Sequence, residues 1–144
     1  MQPTDFEKLG LDIRASPAGS VFVVTSRRTD EAGVRALKES LGVHPTVNAF
    51  VDDPRLDYRF LLGTADRLMV TGESLSMISE ACGTEKQVSL YDFGGKLSRH
   101  PLYPLVEDWA REGLIALYPH WPEPGRKEPL NEGRYLARQI LPRL

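Results

Sequence analysis

Two hydrophobic rhythms alternate along this chain. "SVFVVTS", Ser20 to Ser26, is a continuous valine-rich run. Such a run predicts a strand buried on both faces, as in a parallel sheet. "TDEAGVRALKESLG" follows at helical period. Thr29 or Asp30 stands ready to cap it, acids fill its first turn, and Gly42 ends it. Val34, Leu37 and Leu41 share one face. "TVNAFV", Thr46 to Val51, reads as a second strand. Pro54 to Thr64 reads as a second helix with proline in its first turn. Arg67 to Thr71 is a third strand, Ser74 to Cys82 a third helix, and Gly83 its stop. "KQVSLYDF" is a fourth strand, with Gly94 and Gly95 after it. "PLYPLVEDWAREG" then carries Leu102, Leu105, Val106 and Trp109 at helical spacing, and Gly113 closes it. Tyr118 to Pro129 is proline-rich and reads as an irregular loop. "LNEGRYLARQILPRL" predicts a last helix with Leu136, Ala137, Ile140 and Leu141 on one side, docked to close the domain.

Strands alternating with helices predict an α/β fold with a parallel sheet and right-handed crossovers. The length, 144 residues, suits one domain, and 41% hydrophobic residues suffice for a core. Residues 20–144 form the expected domain, with residues 1–19 as a lead-in segment. The net charge is −2, which gives no bulk case for nucleic acid or an anionic membrane. Cys82 is the single cysteine, so no intrachain disulfide framework exists, as suits a reducing compartment. The first residues lack a charged start followed by an apolar run. No apolar stretch approaches the roughly 20 residues of a membrane span. The expectation is a cytoplasmic protein with no membrane span and no nucleic-acid partner.

In open α/β sheets ligands sit outside the carboxyl ends of the strands. Three such ends are chemically rich here. The first offers Thr25, Ser26, Arg27, Arg28 and Thr29; the third offers Thr71, Gly72, Glu73 and Ser74; the fourth runs from Tyr91 to Gly95. One parallel sheet would place all three on one rim. On the third helix Leu75, Ile78 and Cys82 form an apolar stripe. Ser76, Ser79, Glu80 and Gly83 lie on another face. Free N–H groups at the helix start, with its dipole, favour an anion. Gly72 removes a side chain where a ligand would approach the backbone, and Glu80 lies within reach of sugar hydroxyls. The plainer reading is that serine and glutamate merely cap the helix, and that Gly72 only makes the turn. Glu73 also opposes a phosphate at this turn. Arg27 and Arg28 suit a phosphate or carboxylate. Equally, one of them pairs with an acid and the other is solvated.

Other candidates carry less. His44, His100 and His120 are dispersed without metal-site spacing. Cys82 falls on the apolar stripe as a small core residue. Trp109 reads as core, and Trp121 either lines a ligand or pins its loop. There is no P-loop, no G-x-G-x-x-G and no nucleophile elbow. No catalytic residue, metal or cofactor is assigned.

"VFVVTSRRT", "ADRLMVTGESLSMISEA" and "PLNEGRYLARQI" together resemble the mitochondrial-fission (elongated-mitochondria) family, known from plants with many bacterial members. The resemblance runs from about Ser20 to the end of the chain. It implies a Rossmann-like three-layer domain similar to the C-terminal, nucleotide-sugar-binding half of a GT-B glycosyltransferase. By position Gly72, Ser74 and Ser76 match the turn that meets the donor diphosphate, and Glu80 matches the glutamate that holds the ribose. Ser26, Arg27 and Arg28 join them as candidates, the arginines to neutralise phosphate. Where the family usually has a glycine-lysine-proline step, this chain has Glu85, Lys86 and Gln87.

A GT-B enzyme has two such domains, and 144 residues supply one. The resemblance therefore implies binding of a nucleotide diphosphate, or its sugar conjugate, without turnover by this chain alone. The other half would come from an acceptor-domain chain, and an exposed cleft wall favours self-association. The competing expectation is a protein-interaction module on a non-catalytic transferase scaffold.

Overall fold

The computed structural model describes residues 1–26, 29–44, 48–55, 57–101, 103–125 and 128–131. The chain divides into two compact units, Met1–Leu61 and Leu62–Leu144. The first contains α1 (Pro3–Arg14), β1 (Ser20–Val23), α2 (Glu31–Leu41) and β2 (Asn48–Val51). The division falls inside α3 (Tyr58–Thr64). The second unit continues with β3 (Arg67–Thr71), α4 (Leu75–Cys82), β4 (Gln87–Tyr91), a 3₁₀ turn at Leu97–Arg99, α5 (Tyr103–Arg111) and β5 (Ala116–Leu117).

The α/β class with parallel strands is what the alternation predicts. β1 pairs parallel with β2, Ser20 opposite Asn48 through Val23 opposite Val51. β3 pairs parallel with β4, Arg67 opposite Gln87 through Thr71 opposite Tyr91. β4 pairs parallel with β5. The layering is consistent with a Rossmann-like domain. Among the described residues the strands form two sheets, β1-β2 and β3-β4-β5, where a single sheet was expected. The carboxyl ends of β3 and β4 are therefore neighbours, and that of β1 belongs to the other sheet.

In the first unit α1 and α2 meet closely. Phe6, Leu9 and Ile13 of α1 and Leu37 and Leu41 of α2 are buried. Two glycines allow the approach. A Cβ on Gly10 would lie 1.8 Å from Ser40 Oγ, and one on Gly33 would lie 2.7 Å from the Phe6 ring. Asp5 receives the Gln2 N–H at 2.7 Å at the start of α1. Asp30 accepts the Gly33 N–H at 2.7 Å and starts α2, and Gly42 ends it, both as expected. β1 departs from its expected burial on both faces, since Phe22 is 45% exposed. Thr46 and Val47, expected to begin β2, lie outside the described residues.

α3 begins at Tyr58, four residues after the proline expected to open it. Asp53 explains the delay. Its Oδ1 accepts both the Arg55 N–H and Nε at 2.9 Å, and its Oδ2 meets Arg55 Nη2 at 2.5 Å. A carboxylate bonded to the backbone two residues on favours a turn over a helix. These side-chain bonds, then the backbone bond, hold the Asp53 carboxyl down at about 2, and Asp53 raises the Arg55 guanidinium in return.

The second unit has one continuous core of Val70, Val88 and Leu90 from the sheet, Ile78, Ala81 and Cys82 from α4, Val106 and Trp109 from α5, and Leu97, Leu114 and Ile115. Each large apolar side chain buried this way contributes on the order of 1.5–3 kcal/mol. Cys82 and Trp109 are core residues, as their spacing implied. The segment Tyr118–Pro122 is stitched to the sheet. Ser89 Oγ donates to His120 O at 2.9 Å, Gln87 Nε2 donates to Pro122 O, and the Arg67 guanidinium lies 5.2 Å from the centre of the Trp121 ring. Trp121 thus pins its loop. Gln87 also accepts a bond from Arg67 Nε at 3.0 Å, so this glutamine joins strand to loop. Of the expected last helix, Leu130 donates to Cys82 O at 2.9 Å and packs on the core. The rest of that expected helix, beyond Asn131, lies outside the described residues.

Candidate functional site

β3 delivers the chain to the candidate turn. Thr71, Gly72, Glu73 and Ser74 are all half-buried. Gly72 N–H donates to Tyr91 O at 3.2 Å, extending the β3–β4 ladder by one bond. A Cβ on Gly72 would meet Leu97 Cδ1 at 3.2 Å. The missing side chain thus makes room for Leu97.

Ser74 is the N-cap of α4, with extended backbone at φ −132° and ψ 99°. Its carbonyl accepts the Ile78 N–H at 3.1 Å, the first bond of the helix. Its hydroxyl makes no capping bond. An α-helix leaves its first N–H groups without intrahelical partners, here those of Leu75, Ser76 and Met77. The hydroxyl that could cap them does not, so capping is not what Ser74 contributes. The helix dipole makes this end attractive to an anion.

Ser76 in the first turn and Glu80 one turn on are exposed and, four residues apart, share one face. Six residues of helix place Glu80 about 9 Å along the axis from Ser74. Ser79, expected on that face, is 9% exposed and belongs to the buried side. It follows Leu75 by four residues and precedes Cys82 by three, which puts it on the apolar stripe. Gly83 is exposed at the helix end, where its N–H donates to Ser79 O at 2.9 Å and Glu80 O at 3.1 Å.

The β4 end is a shaped loop. Phe93, Gly94 and Gly95 are successive left-handed residues, with φ +46°, +73° and +86°. Glycine takes that conformation freely, whereas phenylalanine pays about 1–2 kcal/mol. Burial of Phe93 and its edge-on contact with Tyr91, 5.1 Å between ring centres, offset that cost. Asp92 spans the loop. It accepts Leu97 N–H on Oδ1 at 2.6 Å and Lys96 N–H on its carbonyl at 3.2 Å.

The β1 end, in the first unit, has its own bracket. Asp52 accepts the Thr25 N–H and the Thr25 hydroxyl, both at 2.8 Å, and its own N–H donates to Val23 O at 2.8 Å. Ser26 is half-buried, and its carbonyl accepts the Thr29 N–H at 3.0 Å. Arg27 and Arg28 lie outside the described residues. Gly72, Ser74, Ser76 and Glu80 thus stand together on one strand–turn–helix segment, and Ser26 stands on the other unit.

Sequence reasoning missed the two brackets. "VDD" and "YDF" each put an aspartate at a strand end. That is the available signal, since aspartate bonds nearby backbone and tolerates left-handed geometry. Among the described residues no group of three or more His, Cys, Asp or Glu is placed to hold a metal ion. No helix among them is long and apolar enough to cross a membrane. A shallow depression of about 320 Å³ is lined by Thr29, Glu31, Val34, Arg35, Lys38 and Glu39. Its mixed charge expresses no preference for an anion.

The family model described as Mitochondrial fission ELM1 matches residues 2–144. No curated protein and no solved structure matches the chain.

Proposed function

The chain belongs to the mitochondrial fission ELM1 family, and from that premise we propose that it binds a nucleotide diphosphate, or a nucleotide-diphosphate-sugar, at the start of α4. Ser74, Ser76 and the N–H groups of the first turn hold the diphosphate. Glu80, on the same exposed face as Ser76, accepts hydrogen bonds from the ribose. Gly72 lets the turn close on Leu97. Arg27 and Arg28, with the Ser26 hydroxyl, are on their sequence alone a separate set of groups suited to phosphate. The observation that carries the reading is the Ser74 hydroxyl, which occupies the cap position without capping.

For a complete protein of GT-B type the reaction is glycosyl transfer from that donor. This chain supplies the donor side, and an acceptor-domain chain supplies the rest. Calorimetric titration with UDP, GDP and TDP tests the reading. One of them binds, and Glu80→Ala weakens it about tenfold, the size of one lost hydrogen bond to a charged group. If none binds at millimolar concentration, the donor site is wrong and a protein-interaction module becomes the better description.

A further inference from the structure

The α4 start is held from behind by residues that do not belong to it. Leu97 fills the space beside Gly72, with Cδ1 3.2 Å and both Cβ and Cδ2 3.4 Å from where a Cβ would stand. Leu97 is 6% exposed and is part of the core. Its backbone is tied to Asp92 Oδ1 at 2.6 Å, the shorter of the two bonds that close the 92–97 loop. Between the tie points run three left-handed residues, one of them phenylalanine. Such a run persists only where its surroundings over-determine it. The chain of contact is Asp92 to Leu97, Leu97 to Gly72, and Gly72 into Ser74 and α4. On its other side Gly72 is fixed by its bond to Tyr91 O.

We infer that Asp92 is a positioning residue for the α4 anion site. It holds Leu97 against Gly72 and so sets the direction in which the Gly72–Ser74 turn presents the first N–H groups. The inference rests on the proposed reading, in which those groups meet the diphosphate. Asp92 does not touch the ligand. Its Oδ1 is committed to Leu97, and a carboxylate facing a diphosphate would repel it. The two roles predict opposite behaviour on neutralisation. Asparagine keeps an acceptor for Leu97 N–H and drops the charge. A positioning residue tolerates that change, whereas a group acting on the ligand through its charge does not.

The experiment compares wild type, Asp92→Asn, Asp92→Ala and Leu97→Val by calorimetric titration with the nucleoside diphosphate that wild type prefers among UDP, GDP and TDP. Amide hydrogen exchange over residues 72–77 is measured alongside. Asp92→Ala should weaken binding severalfold, with about tenfold as the ceiling set by one charge-assisted bond, and speed exchange at those amides. Asp92→Asn should stay within about threefold of wild type. Leu97→Val, which withdraws one methylene from Gly72, carries the test if Asp92→Ala loses its folded circular dichroism, and should shift affinity and exchange in the same direction. Wild-type binding that neither Asp92→Ala nor Leu97→Val weakens overturns the inference and leaves the donor reading standing. So does an Asp92→Asn variant that binds as poorly as Asp92→Ala. Absence of wild-type binding to all three nucleotides overturns the donor reading, and the inference falls with it.

Discussion

Gly10→Ala sets two physical effects against each other, and the structure says which wins. Gly10 lies inside α1, where alanine is favoured over glycine by about 1 kcal/mol. The new methyl would sit 1.8 Å from Ser40 Oγ, 2.8 Å from Ser40 Cβ and 3.3 Å from Leu37 O. Turning the hydroxyl aside breaks its 2.9 Å bond to Leu37 O and still leaves the Cβ contact. Ser40 cannot simply retreat, because Arg14 Nη1 holds its carbonyl at 3.2 Å. The helices must therefore part, loosening Leu37 and Leu41, which are 1% and 3% exposed. Overpacking of this kind costs about 1–3 kcal/mol, and a broken hydrogen bond adds about 1. Net destabilisation of about 1–3 kcal/mol follows once the propensity gain is subtracted.

Gly63 is the matched control. It lies in α3, and a Cβ there meets nothing within 4 Å, so Gly63→Ala should stabilise by about 0.4–1 kcal/mol. Urea unfolding followed by circular dichroism reads both. Ser40→Gly combined with Gly10→Ala should recover about 1–2 kcal/mol of the loss in a double-mutant cycle. If Gly10→Ala stabilises as Gly63→Ala does, or the cycle shows no coupling, the close helix contact is refuted.

Three further outcomes follow from the same geometry. The Asp53 carboxyl, held at about 2 by Arg55, is depressed in the folded state. Its contribution to stability is therefore present above about pH 4 and is lost as pH falls toward 2. Carboxyl carbon NMR should show Asp53 titrating near its ordinary value in Arg55→Ala, and an unmoved titration contradicts the pairing. Cys82 is fully buried, so a thiol reagent should modify it only as the second unit unfolds, and rapid labelling at zero denaturant would contradict the core placement. Arg67→Ala removes both the contact over Trp121 and the bond to Gln87. It should cost about 1 kcal/mol and shift Trp121 fluorescence toward a more solvated spectrum, which an unchanged emission maximum would deny.

Much of the fold was legible because the strong periodic segments are also the ones the core uses. β3 matches its expected bounds, and α4 starts one residue after its expected cap. α2 fits its cap and stop because Asp30 and Gly42 act locally. α1 carries a weaker signal in its sequence. Phe6, Leu9 and Ile13 keep helical spacing behind Pro3, but that face is buried only through contact with α2, which spacing within α1 does not reveal. β5 has two residues, too few for any period, although Leu114 to Leu117 form an apolar run after Gly113. In the candidate site the pairing of Ser76 with Glu80 follows from helix geometry. The use of Gly72 does not, since the side chain it accommodates is twenty-five positions away in the sequence. Division into two sheets was equally hidden. Alternating elements report that strands run parallel, and pairing partners depend on contacts no local pattern records.

A seat with hydrogen alone at its tightest point also selects a registration. Slide α1 by one turn along α2, and Phe6 or Ile13 arrives where Ser40 leaves no room for a methyl. A one-turn shift then begins with a collision, so this spot disfavours that wrong seating as it cements the right one.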